Sequence, residues 1–124
     1  MTGATLNNGP GYKKAPDHTI TLEPTNETVT VRLNGTVLTK STAAIRLNES
    51  NYDPVLYFPP QDVDTRLITK SEHTSYCPFK GDATYWSCDG LDNIAWSYEA
   101  PFDEVMGIKK YVAFYPDKVR IDSA

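Results

Sequence analysis

The chain has 124 residues, a net charge of -4 at neutral pH and a mean hydropathy of -0.46. This length suits one domain, and no apolar stretch approaches the roughly 18 residues of a membrane-spanning helix. A nucleic-acid binder normally carries a basic face, so the excess of 16 acidic over 12 basic side chains argues against one. We therefore expect neither a nucleic-acid nor a membrane partner.

Residues 1–17 are polar and rich in Gly, Asn and Pro. Such a segment has little reason to order itself unless it lies against the body of the protein. We predict a flexible arm over residues 1–17 and a single domain over residues 18–124. The arm lacks the apolar core of a secretory signal, so we expect a cytoplasmic protein.

The cysteine and histidine content bears on bridges and metals. Cys77 and Cys88 are the only cysteines of the sequence, fewer than a secreted disulfide scaffold would normally show. Two histidines do not complete a convincing zinc site with them. We therefore expect free thiols, no metal and no cofactor.

Alternation of polar and apolar residues predicts a mainly β chain. In chain order, the predicted strands are residues 19–23, 28–33, 36–40, 43–47, 55–58, 83–88, 94–98 and 111–115, with a possible edge strand at 119–121. We expect 43–47 to join the sheet of the two strands before it. Pro59-Pro60 should end the strand at 55–58, and residues 60–63 could form one helical turn.

Two hairpins are predicted from their turns. Asn34-Gly35 is the strongest short hairpin signal, because both turn residues need positive φ. A two-residue turn there pairs Leu33 with Thr36 and Val31 with Leu38. The buried face would then carry Val29, Val31, Leu33 and Leu38.

The register of the second hairpin, around Asp89-Gly90, is left open by the sequence. A two-residue turn places Cys88 opposite Leu91. A five-residue loop would instead place Trp86 opposite Trp96.

One short helix is predicted over residues 101–110. Pro101 and acidic residues stand early in this segment and lysines stand late, which matches the helix dipole. Phe102, Val105 and Met106 form an i, i+3, i+4 stripe. Because Gly107 weakens the helix, we expect two or three turns at most.

Residues 73–86, His-Thr-Ser-Tyr-Cys-Pro-Phe-Lys-Gly-Asp-Ala-Thr-Tyr-Trp, strongly resemble the signature of the DUF427 family. Further segments that fit the same family are His18-Thr19-Ile20-Thr21, residues 44–49, residues 54–59 with Asp62-Val63, residues 95–98 and residues 111–115. The resemblance implies a single compact β-tent-like (Mss4-like) domain of antiparallel strands. This chain lacks the paired CxxC motifs of the zinc-binding Mss4-like domains. The family is catalogued under a nucleotidyltransferase heading, and its activity is unknown.

Aromatic side chains are concentrated near the family signature. Six of the 14 aromatic residues fall between positions 76 and 98, namely Tyr76, Phe79, Tyr85, Trp86, Trp96 and Tyr98. They could pack a small core, or they could wall a pocket with phenol and indole donors at its rim. Packing is favoured for Trp86 and Phe79, and both interpretations stay open for Tyr85 and Trp96. Tyr57, Tyr85 and Tyr98 favour a pocket, because a buried hydroxyl needs a partner.

Cys77 has two interpretations. Lys80 or a protonated His73 could stabilise its thiolate and make it a nucleophile. The commoner role of a free cysteine is an inert, buried thiol, and we expect slow labelling of Cys77. His73 could act as a general base or as a surface hydrogen-bonding residue. Lys80, followed by Gly81, could contact an anion or be a solvated turn residue.

Charged residues supply the other candidates. Arg46 in an apolar strand must be paired if it faces inward, for instance with Glu49. Such a pair could be structural, or it could clamp a carboxylate or phosphate. Asp62-Val63-Asp64 has the carboxylate spacing of a metal–nucleotide site, but this pattern is frequent by chance.

The leading hypothesis is a domain that binds a small polar or anionic ligand. The predicted ligand-binding residues are Arg46, Glu49, Tyr57, Lys80, Tyr85, Trp96 and Tyr98. We expect the charged groups and the tyrosine hydroxyls to lie within about 12 Å around one concave site walled by Trp96. The alternatives are an enzyme using Cys77 with His73 or Lys80, a nucleotidyltransferase, and an interaction module whose exposed sheet edge pairs with a partner or a second copy.

Overall fold

The computed structural model describes residues 6–123, and this part of the chain is mainly β. Its ten strands are β1 (Ile20–Pro24), β2 (Val29–Leu33), β3 (Thr36–Ser41), β4 (Ile45–Glu49), β5 (Val55–Tyr57), β6 (Thr69–Cys77), β7 (Gly81–Cys88), β8 (Leu91–Tyr98), β9 (Val112–Phe114) and β10 (Arg120–Ser123). Three short 3-10 segments cover Pro10–Lys13, Pro60–Asp62 and Asp103–Ile108. The predicted mainly β fold class is confirmed.

The strands form three antiparallel sheets, ordered β1-β4-β5, β10-β2-β3 and β6-β7-β8-β9. The expectation that residues 43–47 join the sheet of β2 and β3 is wrong, because β4 pairs with β1 and β5. The chain changes sheet beside Thr25, whose backbone N–H donates to the carbonyl of Ala44. The two connecting segments are thereby held together where the sheets meet.

The first hairpin has the predicted turn with one difference in register. Asn34 and Gly35 have φ of 50° and 83°, and Leu33 lies opposite Thr36. The predicted pairing of Val31 with Leu38 is wrong, because a bulge places Val31 opposite Thr39. Leu38 is the extra residue and is buried together with the apolar residues of β2.

The second hairpin follows the two-residue turn. Asp89 and Gly90 have φ of 49° and 78°, and Cys88 lies opposite Leu91. An irregularity between Trp86 and Cys88 then places Tyr85 opposite Trp96. The alternative pairing of the two tryptophans does not form.

The predicted helix is a 3-10 segment over Asp103–Ile108, kinked at Val105. Its buried residues are Val105 and Ile108, separated by three positions, which is the 3-10 period. Met106 is 45% exposed, so the predicted stripe is wrong at that residue.

Residues 7–11 contact the body of the domain. The backbone N–H groups of Asn7 and Gly9 donate to the carboxylates of Asp103 and Glu104, at 2.8 and 2.9 Å. The N–H of Gly11 donates to the carbonyl of Pro78. We expected the arm to order itself only where it lies against the body of the protein, and residues 7–11 lie against it in this way. The prediction of a flexible arm over residues 1–5 lies outside the described residues. Within residues 6–123, no helix is long and apolar enough to cross a membrane.

The buried apolar residues form two clusters. The larger one lies around β2, Phe58, Ile94 and Phe114. The smaller one contains Leu47, Tyr57, Ala83, Tyr98, Val105, Ile108 and Ala113. Three members of this smaller cluster also line the cleft described next.

Candidate functional site

A cleft of about 710 Å³ lies over the smaller core cluster. Its lining residues are His18, Leu47, Glu49, Tyr52, Asp53, Val55, Tyr57, Cys77, Pro78, Phe79, Lys80, Tyr85, Trp96, Tyr98 and Tyr115. They come from strands of two sheets, from the turn between β6 and β7, from the connection between β4 and β5, and from positions just before β1 and just after β9. The volume falls in the range of small-molecule pockets, roughly 300–1,000 Å³.

Most of the predicted site residues lie together in this cleft. They are Glu49, Tyr57, Cys77, Lys80, Tyr85, Trp96 and Tyr98. Arg46 and His73 are not among its lining residues in the described part of the chain. The residues that the sequence reasoning missed include His18, Asp53 and Tyr115.

Arg46 lies on the other face of β4, because side chains alternate along a strand. Leu47 and Glu49 face the cleft, whereas the Arg46 Nη1 atom lies 3.3 Å from Glu23 Oε1 on the neighbouring strand. Hydrogen bonds from Asn48 and Arg46 lower the pKa of Glu23. The suggested pair of Arg46 with Glu49 is therefore not formed.

Glu49 is bound by two other side chains. Lys80 Nζ donates to Glu49 Oε1 at 2.6 Å, and His18 Nε2 lies 2.8 Å from Glu49 Oε2. The three side chains are only 9–11% exposed. Lys80 is placed by a tight turn in which its own N–H donates to the Cys77 carbonyl and Gly81 follows with φ of 119°. A buried carboxylate needs such partners.

His18 is fixed from its other side by aromatic rings. Its ring stacks on Phe79 with a centroid separation of 3.9 Å, and Tyr12 meets Phe79 edge-on at 5.0 Å. The sequence offered one signal for His18, its place in the first segment that resembles the family. Nothing in the sequence connected it with Glu49, 31 residues away.

Two buried tyrosines direct hydroxyl groups at the cleft. The Tyr57 hydroxyl accepts a hydrogen bond from Trp96 Nε1 at 3.1 Å, which leaves its own hydrogen available. Tyr98 is 6% exposed, and its hydroxyl makes no hydrogen bond within residues 6–123. Since no fully buried side-chain N or O atom in this range lacks a partner, the Tyr98 hydroxyl opens onto the cleft that the residue lines.

Burial favours the neutral form of three tyrosines of the cleft. It raises the pKa of Tyr57 and of Tyr98 well above the usual value. Burial, followed by a hydrogen bond with Tyr85, raises the pKa of Tyr115 to about 12. At neutral pH these tyrosines are therefore hydrogen-bond donors.

Comparison with known families gives one match. The model described as "Domain of unknown function (DUF427)", named NTP_transf_9, matches residues 21–123. The chain belongs to the DUF427 family. The resemblance found in the sequence is thereby confirmed. No curated protein matches the chain.

Cys77 of the DUF427 domain lines the cleft and is partly buried. Its Sγ atom lies 3.8 Å from Lys80 Nζ. His73, the other suggested partner, is exposed and its ring lies against Tyr85 at 4.5 Å between centroids. Of the two residues proposed to assist Cys77, only Lys80 contacts it.

The acidic pair Asp62 and Asp64 is engaged outside the cleft. Ser41 Oγ donates to Asp62 Oδ2 at 2.6 Å, and the guanidinium of Arg66 binds Asp64 with donor–acceptor distances of 3.0 and 2.9 Å. Hydrogen bonding by Arg66 lowers the pKa of Asp64. Among residues 6–123, no three His, Cys, Asp or Glu side chains are grouped so that they could hold a metal ion.

Proposed function

We propose that this DUF427 domain binds a small polar or anionic molecule in the cleft. The observation that carries the proposal is the Tyr98 hydroxyl, which belongs to a residue 6% exposed and yet has no partner within the described chain. Because this hydroxyl opens onto the cleft, it can donate a hydrogen bond to a ligand atom bound there.

The donors around the cleft define the chemistry of the ligand. An ammonium has three N–H donors, and those of Lys80 that do not face Glu49 or Cys77 are free for a ligand. The Tyr57 and Tyr98 hydroxyls add two neutral donors. Together these groups favour a carboxylate, phosphate or carbonyl oxygen on the ligand.

The aromatic rings that line the cleft suit a flat group. Trp96 lies between Tyr57 and Tyr115, with ring centroids 6.2 and 4.5 Å away. Aromatic faces of this kind bind planar or apolar parts of a ligand through stacking and burial. The ligand therefore combines an oxygen acceptor with a planar or apolar portion.

The test begins with the untreated protein. Native mass spectrometry of the freshly purified domain should show a bound small molecule, and its release should change Trp96 fluorescence. Trp86→Phe removes the second tryptophan, which does not line the cleft, so the signal then reports Trp96 alone.

Tyr98→Phe should weaken binding of the molecule about tenfold or more while leaving the fold intact, since the lost hydroxyl bonds to no described residue. Tyr76→Phe is the matched control, because Tyr76 is 58% exposed and outside the cleft. Equal affinity of the Tyr98→Phe and Tyr76→Phe variants would contradict the proposal.

The other hypotheses gain less from the contacts. The Asp62-Val63-Asp64 pattern that suggested a nucleotidyltransferase lies away from the cleft, where Asp62 and Asp64 bind Ser41 and Arg66. An interaction module would use an exposed edge such as β6, whose residues are mostly exposed. Neither hypothesis explains why the donors converge on one concave site.

A further inference from the structure

We infer that the cleft is an acyl-accepting centre, in which the Cys77 thiolate attacks the carbonyl carbon of an activated acyl compound, an ester or a thioester. The inference rests on the proposed function, since the acyl compound would be the molecule bound there. It adds a reaction to the binding site, and it assigns separate tasks to Cys77, Lys80 and the two buried tyrosines.

The first support is the position of the nucleophile. Cys77 Sγ faces the cleft and lies 3.8 Å from the ammonium of Lys80. A neighbouring cation stabilises a thiolate, which is the reactive form of cysteine. Lys80 is held in this place by Glu49, at 2.6 Å, and Glu49 is held by His18. The cation is therefore fixed beside the sulfur instead of moving in solvent.

The second, independent support is the pair of hydroxyls. Attack on a carbonyl places negative charge on its oxygen, and preorganised donors aimed at that oxygen accelerate the reaction. Tyr98 has an unpartnered hydroxyl and is 6% exposed, and Tyr57 has a hydroxyl hydrogen that its bond with Trp96 does not use. Both residues line the same cleft as Cys77. In the inferred reaction, these hydroxyls bind the oxygen of the carbonyl that Cys77 attacks.

The reaction balances without an oxidant or a reductant. The thiol proton passes to solvent, and the thiolate sulfur forms a bond to the carbonyl carbon. The bond from that carbon to the leaving oxygen or sulfur then breaks. The leaving group departs with the electron pair and takes a proton from solvent. The product is a thioester on Cys77, which water or a second nucleophile can cleave to restore the thiol.

Cys88 is a control within the same molecule. It is 8% exposed, lies outside the cleft, and burial raises the pKa of its thiol. If Cys77 were only a free thiol, an acylating reagent would react slowly with both cysteines. An acyl-accepting centre would react at Cys77 and leave Cys88 unmodified.

The experiment uses p-nitrophenyl acetate with the full-length protein at neutral pH. We expect a burst of about one equivalent of p-nitrophenol and one acetyl group on Cys77, located by peptide mass spectrometry. Cys77→Ser should abolish the burst, whereas Cys88→Ser should leave it unchanged. Tyr98→Phe should slow the burst by about 100-fold, the usual effect of losing one donor to the oxyanion.

The role of the Lys80 charge is tested by comparing a neutral with a positively charged substitution. Lys80→Met should slow acetylation of Cys77 by about tenfold or more, and Lys80→Arg should restore part of the rate because it keeps the cation. If Lys80→Met does not fold, the rate of the burst in Tyr98→Phe still tests the acyl-accepting centre. Acetylation of Cys88 or of surface lysines at the rate of Cys77 would overturn the inference.

The outcome separates this inference from the proposed function. A protein that binds its co-purified molecule with dependence on Tyr98, but is not acetylated at Cys77, overturns the acyl-accepting centre and leaves the binding site. A protein acetylated at Cys77 with the expected dependence on Tyr98 supports the inference, whether or not a molecule co-purifies with it.

Discussion

Glu49 is the residue on which the charged part of the site depends. Its two carboxylate oxygens bind Lys80 and His18, and all three side chains are almost fully buried. A buried ion pair adds little to stability compared with an apolar pair of similar volume. Removal of one partner is costly, because the other charge stays buried without compensation. A gain in stability therefore does not explain why these three charged side chains are buried together.

Lys80→Met tests this at the level of a single residue. We expect it to lower the free energy of unfolding by roughly 3 kcal/mol, because Glu49 loses its closest cation. Urea unfolding measures the change. Lys109→Met, at an exposed lysine, should change stability by less than about 0.5 kcal/mol.

The double variant Glu49→Gln, Lys80→Met provides the internal check. Since it removes both charges, it should be more stable than Lys80→Met alone. If the double variant is less stable than the single one, the loss does not come from an uncompensated carboxylate at Glu49.

Among the elements, the two-residue turns set the hairpins, because their residues must adopt positive φ. Gly35 has φ of 83° and open space around the position of a Cβ atom. Substitution there changes backbone strain alone. Gly35→Ala should destabilise the domain by about 1 kcal/mol, since other L-residues avoid this region. The Tm should fall by about 4 °C.

Gly35→Asn is the matched variant, because asparagine adopts positive φ more readily and Asn34 already does so. It should lose clearly less than Gly35→Ala in the same thermal unfolding experiment. Equal losses would mean that strain at this position is not the cause.

The sequence predicted the elements whose pattern is local. The Asn34-Gly35 and Asp89-Gly90 turns and most apolar strands were found because turn chemistry and alternation need only neighbouring residues. β6 was missed, because nearly all of its nine residues are polar and exposed and no alternation marks them. The bulge at Val31 was also missed, since packing in the folded domain decides it.

The same distinction applies to the site. Residues in the family signature, such as Cys77 and Lys80, could be found from sequence. The contacts of Glu49 with His18 and Lys80 could not be found from sequence, because contacts across 31 residues depend on which sheet β4 joins. The sequence predicts Arg46 as a site residue, because an arginine in an apolar strand needs a partner if it faces inward. Its side chain faces Glu23, which only strand pairing could show.

At the scale of the whole molecule, alkaline pH should unfold the domain. Burial raises the pKa of Tyr57 and Tyr98 in the folded state, whereas tyrosines in the unfolded chain ionise near about pH 10. The unfolded state thus holds fewer protons above that pH, and stability falls as pH rises. Below about pH 10 this contribution is fully present.

Urea unfolding between about pH 8 and about pH 11 measures this loss, up to roughly 1.4 kcal/mol per pH unit for each such tyrosine. The part of the phenolate absorbance that Tyr98→Phe lacks should rise together with unfolding. Tyr98→Phe should show a smaller loss than Tyr76→Phe, whose wild-type residue is exposed. Ionisation of Tyr98 near pH 10 without loss of stability would contradict the expectation.

The alternation along β4 also limits which changes in chain length the domain can accept. Leu47 and Glu49 face the cleft, while Arg46 bonds to Glu23 on the other face. Insertion of one residue in this strand would reverse every side chain beyond it. The carboxylate would then point away from Lys80 and an arginine or asparagine would enter the apolar layer. β4 can therefore exchange residue types more readily than it can change length.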